Sequence, residues 1–268
     1  MTATTERRLA ALEVAISPAP ARRSPVEVAH ELSIVLDPWQ RDLALSEWRQ
    51  AVVLCSRQSG KSTIAGIIAI TVALYAPGST VLIVSPSERQ SGLLFRSVLK
   101  HYRRLGHPVA AEVENRLSLE LANGSQVFAL PGSEATVRGF SSVDLLIEDE
   151  ASRVDDELHA AIRPMLAVSR GRLLLLSTPA GKRGHFYRAW AEGGADWHRT
   201  RITALDCPRI DPDWLAAERA ASGDFWFRQE FLCEFLDDDT QLYATDLIEG
   251  ALTPAVAPFL PAFSEVTN

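Results

Sequence analysis

The chain has 268 residues, 47% of them hydrophobic, and a formal net charge of −7. This composition excludes a disordered polymer and supplies enough apolar material for one large α/β domain. The acidic balance argues against a protein that holds nucleic acid through its overall charge, though not against a local basic patch.

In chain order, residues before about Val26 are rich in Ala, Arg, Ser and Pro and read as a loose arm. No apolar h-region follows Arg7 and Arg8, so a secretory leader is not expected. Pro38-Trp39-Gln40 opens an amphipathic helix to about Trp48, with Asp37 as its N-cap. Ala51 to Cys55 is a short, wholly apolar run, as expected of a strand buried on both faces. A long apolar helix follows Lys61, and its Ile64 to Ala76 stretch falls short of the roughly 20 residues that span a bilayer. Thr80 to Val84 is a second buried strand, and Pro86-Ser87 start a helix that runs to about Arg104. Leu117 to Leu121 and Gln126 to Leu130 alternate apolar and polar residues around Asn123-Gly124, which predicts a hairpin with a type I′ turn.

Val143 to Ile147 is a third buried strand, and an Ala- and Leu-rich helix is expected over about Asp155 to Val168. Leu173 to Leu176 is a fourth strand, and Trp197 to Thr203, with Ile202, a fifth. Helix returns after Asp211-Pro212 and continues to about Glu234. Asp237-Asp238-Asp239 is an acidic break before a Pro-rich tail. Strands alternating with helices imply an α/β fold with a mostly parallel, doubly wound sheet flanked by helices on both faces. Three domains of organisation are expected: an arm at 1–30, the α/β domain at 31–236, and a linker and tail at 237–268. Cys55, Cys207 and Cys233 are odd in number and lack metal-ligand spacing, which fits reduced thiols.

The chemistry concentrates at two places. Ser56-Arg57-Gln58-Ser59-Gly60-Lys61-Ser62-Thr63 lies between a strand and a helix, the context of a phosphate-binding loop. Its backbone N–H groups and the helix N-terminus suit the β- and γ-phosphates of ATP. Lys61 adds a point charge, the Ser62 hydroxyl can ligate Mg²⁺, and Gly60 permits close backbone approach. The usual first glycine is replaced by Cys55. The second place is the apolar strand that ends in Glu148-Asp149-Glu150. There Asp149 is expected to hold the metal through its water shell, and Glu150 to orient and deprotonate the attacking water. Glu148 reads as a flanking residue, with a direct metal role as the alternative.

Together these segments resemble the ATPase domain of the large terminase subunit of tailed bacteriophages, over about Leu36 to Tyr243. The resemblance rests on the Ser56–Thr63 loop, which has an Arg in place and lacks the first Gly as that family's loop commonly does. It rests also on Pro38-Trp39-Gln40, Leu146 to Ala151, Leu176-Ser177-Thr178-Pro179-Ala180-Gly181 with His185-Phe186-Tyr187, and Phe227 to Phe231. It implies a P-loop triphosphatase of the ASCE, RecA-like type that uses ATP and Mg²⁺ to move double-stranded DNA into a procapsid. Under it Gln40 reads the adenine edge, or is a plain helix amide. Arg57 acts in cis on the γ-phosphate, or is a surface salt bridge, and Ser177 and Thr178 relay its loss, or form a simple turn before Pro179. Arg138 is either a trans finger for a neighbouring subunit or a local structural arginine.

The implied partners are a portal protein, a small terminase subunit and further copies of the chain in a ring, in the host cytoplasm and without a membrane. Arg89, Arg96, Lys100, Arg103 and Arg104 are candidates for a DNA-facing surface or for an ordinary solvated helix face. The family's large subunits carry a nuclease domain after this ATPase, and the sequence to Asn268 leads to the expectation that DNA cleavage is absent. A helicase-like ATPase and a nucleotide-binding remnant are the alternative readings.

Overall fold

The computed structural model describes residues 22–131, 140 and 142–237. Eight strands form one sheet in the order β3-β4-β5-β2-β6-β7-β1-β8. They are β1 (Gln50–Cys55), β2 (Thr80–Ser85), β3 (Ala111–Glu114), β4 (Ser118–Leu121), β5 (Gln126–Pro131), β6 (Leu145–Asp149), β7 (Arg172–Ser177) and β8 (Trp197–Ile202). From β5 to β8 every neighbour is parallel, and β3 and β4 add an antiparallel edge. The mostly parallel sheet expected from the alternating periods is therefore present. The central strands are buried throughout, which is why they read as unbroken apolar runs.

Alternation along the strands builds two cores. Val53, Ile83, Ile147 and Leu174 face one side, under α1 (Pro25–Glu31), α2 (Pro38–Leu45), α3 (Lys61–Tyr75) and α4 (Glu88–Arg104). Val52, Leu82, Leu146 and Leu175 face the other, with Leu158 of α5 (Asp156–Ile162) and Phe186 of α7 (Gly184–Ala191). A third cluster, Ala204, Leu215, Phe227 and Phe231, joins α8 (Pro212–Ser222) to α9 (Asp224–Glu230). Packing begins ahead of residue 31. Ser24 and Glu27 form a reciprocal cap on α1, and Val28 and Ala29 are buried in the first core. Cys55, Cys207 and Cys233 are buried free thiols.

Three local expectations are corrected. The β4–β5 hairpin exists, but only Gly124 has a positive φ, with the Gly124 N–H donating to the Leu121 carbonyl. A type I′ turn needs positive φ at both central residues, so this is a type I turn closed by a left-handed glycine. The helix expected over 155–168 is cut at Pro164 into α5, a 3₁₀ turn and the short α6 (Leu166–Ser169), because proline offers no N–H to the preceding turn. The helix expected to run to Glu234 breaks at Gly223 (φ 83°) into α8 and α9.

The C-terminal strand ends gather at one edge of the sheet. Leu54 is level with Ser177, and Asp149 with Leu176. Strand β7 thus lies between β1 and β6, and it sets Ser177 and Thr178 between the phosphate loop and the acidic strand.

Candidate active site

The loop after β1 is fixed by its neighbours before any ligand arrives. The Ser56 N–H donates to the Ile202 carbonyl (2.8 Å), and Ser59 Oγ donates to the Ser56 carbonyl (2.9 Å). Gly60 has φ 92°, which strains any residue with a Cβ, and a Cβ there would lie 2.7 Å from Gln40 Nε2 and force that amide to move. Its carbonyl accepts from Gln40 Nε2 (3.1 Å) and from the N–H groups of Thr63 and Ile64 as α3 begins. Cys55 needs no glycine geometry. It is still strand, paired with Ile202 of β8, with its thiol buried.

Gln40 is buried, and its Oε1 accepts from the Asp37 N–H (2.9 Å). The amide therefore joins α2 to the loop. Asp37 is the N-cap expected, but its carboxylate is taken by Arg209 through two bonds of 2.7 Å, while Arg209 also donates to the Ser59 carbonyl (2.9 Å).

Lys61 and Glu150 form an ion pair across the cleft, with the Lys61 side chain only 14% exposed. Burial disfavours the ammonium, but Cys55, Asp149 and Glu150 outweigh it and raise the Lys61 pKa above its ordinary value. Glu150 is left-handed, at φ 56° and ψ 40°. For a residue with a Cβ this costs on the order of 1 kcal/mol, strain of the kind found at functional sites. Asp149 is buried on the same face as Ile147, and its Oδ1 has no hydrogen-bond partner. Burial, partly offset by Lys61, pushes its pKa up to about 6. An orphaned carboxylate oxygen beside the first turn of α3, where Ser62 sits, fits a hard divalent cation with oxygen ligands.

Two residues beside the loop make bonds that the motif reading does not give. Arg153 donates to Thr178 Oγ1 (3.1 Å) and to Glu230 Oε1 (3.0 Å), and pairs with Glu150 at 3.5 Å. Glu230, in α9, also accepts from Arg57 Nε (2.7 Å). Burial works against charge on Glu230, but Arg57 and Arg153 outweigh it and hold its carboxyl below the ordinary range. Arg57 is thus turned to Glu230, with 63% of its side chain exposed. Ser177 is buried, and its hydroxyl lies 2.7 Å from that of Ser152.

An open cleft of about 600 Å³ is lined by Arg57, Gly60, Lys61, Ser62, Glu150, Arg153, Thr178 and Arg209, among others. A larger hollow of about 850 Å³, by Trp48 and Arg172, lies at the opposite end of the strands, away from these groups. The cleft gathers Arg57, Lys61, Arg153 and Arg209 around Glu150, a local basic site within an acidic chain. Glu148 corrects the expectation of a flanking residue. It lies within β6, is fully buried, and faces the second core, where His159 and His185 hold its two oxygens. Arg138, and Asp238 and Asp239 of the acidic break, lie outside the described residues. On the exposed face of α4, Arg103 pairs with Glu114 and Arg104 donates to the Leu32 carbonyl.

A strand, a loop closed on a left-handed glycine, a helix led by a half-buried lysine, and an acid at the end of a nearby parallel strand define a phosphate-loop nucleotide-binding protein. Over residues 52–249 the chain matches the family described as "Terminase large subunit, T4likevirus-type, N-terminal", and it belongs to that family. It is 28% identical over 198 residues to the terminase large subunit of Escherichia phage T5, covering 71% of this chain and 44% of that protein. It is 27% identical over 233 residues to the terminase large subunit of Thermus virus P23-45, covering 73% of this chain and 48% of that protein. The chain thus spans less than half the length of these relatives.

Among solved structures, the large terminase ATPase domain of Thermus phage P74-26 superposes with a TM-score of 0.73 at 24% identity, over 80% of this chain and all of that one. The large terminase of bacteriophage HK97 superposes with a TM-score of 0.63 at 20% identity, over 75% of this chain and 51% of that one. These likenesses establish the ATPase-domain fold. Among the described residues no helix is long and apolar enough to cross a membrane.

Proposed function

We propose that this chain is the ATP-hydrolysing motor domain of a phage packaging machine and drives double-stranded DNA into a procapsid. The observation that carries the reading is the convergence of Lys61, Ser62 and strained Glu150 on one cleft, with the buried carboxylate of Asp149 acting on Lys61, in a chain of the terminase family. The loop N–H groups and Lys61 hold the β- and γ-phosphates, and Gly60 lets the backbone close on them. Ser62 and Asp149 would hold Mg²⁺, which when bound would neutralise charge developing on the phosphates. Glu150 aligns water on the γ-phosphorus and accepts its proton as the new P–O bond forms and the β–γ bridge breaks.

Lys61 must leave Glu150 for the phosphates, so triphosphate binding itself frees the base. Arg57 then turns from Glu230 to the γ-phosphate. Arg153, bonded to Thr178 and Glu230, carries the loss of that phosphate to β7 and α9. Gln40 sets the loop through its bonds to the Asp37 N–H and the Gly60 carbonyl.

The reading extends to a ring of copies at a portal, with a small terminase subunit, in the host cytoplasm. Arg138 completes a neighbour's site in that ring. Linear duplex DNA is expected to accelerate phosphate release by the assembled protein, and equal rates with and without duplex would contradict a motor role. Arg138→Ala and Glu150→Ala chains, each inactive, should regain part of the activity on mixing. Absence of recovery at concentrations where rings form would remove Arg138 from the trans role.

A further inference from the structure

The most unusual cluster outside the cleft is on the far face of β6. Glu148 is 0% exposed. Its Oε1 lies 2.8 Å from His159 Nδ1, and its Oε2 lies 3.0 Å from His185 Nε2. The other ring nitrogen of His185, Nδ1, lies 3.0 Å from Asp156 Oδ1, which also accepts the His185 backbone N–H (2.7 Å). Arg188 closes the chain on Asp156 Oδ2 (2.7 Å).

The three atoms of Glu148, His159 and His185 are close enough to hold a metal ion. The ring geometry argues otherwise. The imidazoles stack with centroids 4.0 Å apart and planes 12° apart. Their in-plane lone pairs therefore run nearly parallel and do not converge on one ion at the roughly 2.0–2.1 Å that imidazole ligation requires.

Hydrogen bonding accounts for the cluster. Each nitrogen of His185 faces a carboxylate oxygen, and a carboxylate can only accept. Both nitrogens therefore donate, and the ring is an imidazolium between Glu148 and Asp156. Burial opposes that charge, but the two carboxylates outweigh it and raise the His185 pKa. A fully buried charged pair, satisfied on every side, fixes geometry more than it adds stability.

What it fixes is next to the chemistry. Asp149 and Glu150 are the two residues after Glu148: Asp149 faces the opposite side of the sheet, and Glu150 follows the strand's end at the cleft. His185 opens α7, the helix after the Ser177-Thr178 loop, and α7 packs on the turn that carries Ser152 and Arg153. We propose that Glu148, His185 and Asp156 form a positioning chain for ATP hydrolysis. It pins the end of β6 so that Asp149 and Glu150 hold their aim, and it ties that aim to α7. The proposal rests on the ATPase reading given above.

The test compares kcat and KM per nucleotide-binding site for Glu148→Gln/His185→Gln, in which an amide pair replaces the charged pair. The expected result is a fall in kcat of about tenfold or more, the scale of a small misplacement of reacting groups, with KM within about twofold. A variant with kcat per site within twofold of the parent would overturn the proposal. A merely structural pair would lower the number of binding sites and not kcat per site. Should the double variant not fold, Asp156→Asn decides, because that side chain is 45% exposed and its loss is tolerable to the fold. Here kcat is expected to fall about threefold at unchanged KM, and an unchanged kcat overturns the proposal. The controls separate the two readings. Absence of turnover in the parent, or full turnover in Glu150→Gln, refutes the ATPase reading. Turnover that Glu150→Gln abolishes and these variants leave intact refutes only the positioning chain.

Discussion

Replacing Glu150 with Gln is expected to trap ATP. Hydrolysis should fall by about 100-fold to 10,000-fold, the range for removal of a general base. Binding should be retained and become tighter by a few-fold. The second half follows from the Lys61–Glu150 ion pair. In the parent, a triphosphate must draw Lys61 away from a carboxylate partner in a largely buried site, and it binds against that competition. The glutamine keeps the size and the left-handed backbone at residue 150 but offers no charge to Lys61. Equilibrium titration with a fluorescent ATP analogue, beside single-turnover hydrolysis, separates the two effects. Loss of binding together with hydrolysis would show that Glu150 organises the loop and is not the base. Retention of hydrolysis within about threefold would remove Glu150 from the chemistry altogether.

Asp149→Asn is expected to stabilise the nucleotide-free, metal-free protein while abolishing Mg²⁺-dependent turnover. Burial pushes the Asp149 pKa up to about 6 from the ordinary 3.8. The sign follows from which state holds the proton. Between about pH 4 and pH 6 the unfolded chain has lost this proton and the folded chain keeps it, so stability falls as pH rises. Above about pH 6 the full penalty is present, on the order of 3 kcal/mol by the linkage relation. Asparagine carries no charge at any pH. Its stabilising effect should therefore be about 1–3 kcal/mol at pH 7.5 and vanish near pH 4. In a chain of this size that is a rise in Tm of several degrees, read from thermal scans across pH without nucleotide. An asparagine variant no more stable than the parent at pH 7.5 would mean that Asp149 is satisfied in a way its orphaned Oδ1 does not show. The same unmet charge is what a cation at this position would relieve.

Much of this site was legible before the structure. The phosphate loop, the acidic strand end and the Ser177-Thr178 segment are contiguous in sequence, and a parallel sheet must bring its C-terminal strand ends to one edge. Sequence order does not give strand order, so the insertion of β7 between β1 and β6 became visible only in the fold. Gly60 was legible from its place before Lys61 in the loop, and the strand through Cys55 was legible as an apolar run that the structure bears out. Arg153 and Arg209, and the bonds of Glu230 within the quoted Phe227–Phe231 segment, escaped detection for a physical reason. Their partners lie 25, 172 and 173 positions away, at Thr178, Asp37 and Arg57 respectively. Glu148 was misread because an acid beside other acids at a strand end looks solvated. Period-two alternation could have shown that Glu148 and Asp149 face opposite sides, and His159 and His185 were the buried-partner signal that went unused. The family match removes the basis for a helicase-like reading, which had rested on the same loop and acids.

The measurement that bears most directly on the account is phosphate release from ATP by the purified chain in Mg²⁺, beside the Lys61→Ala variant and beside excess chelator. The account predicts turnover by the parent that is lost in Lys61→Ala, because the ammonium and its loop hold the reacting phosphates, and lost again when the metal is removed. Turnover that persists in Lys61→Ala would place the chemistry outside this cleft, and a folded parent that binds ATP but releases no phosphate would contradict it as a motor domain.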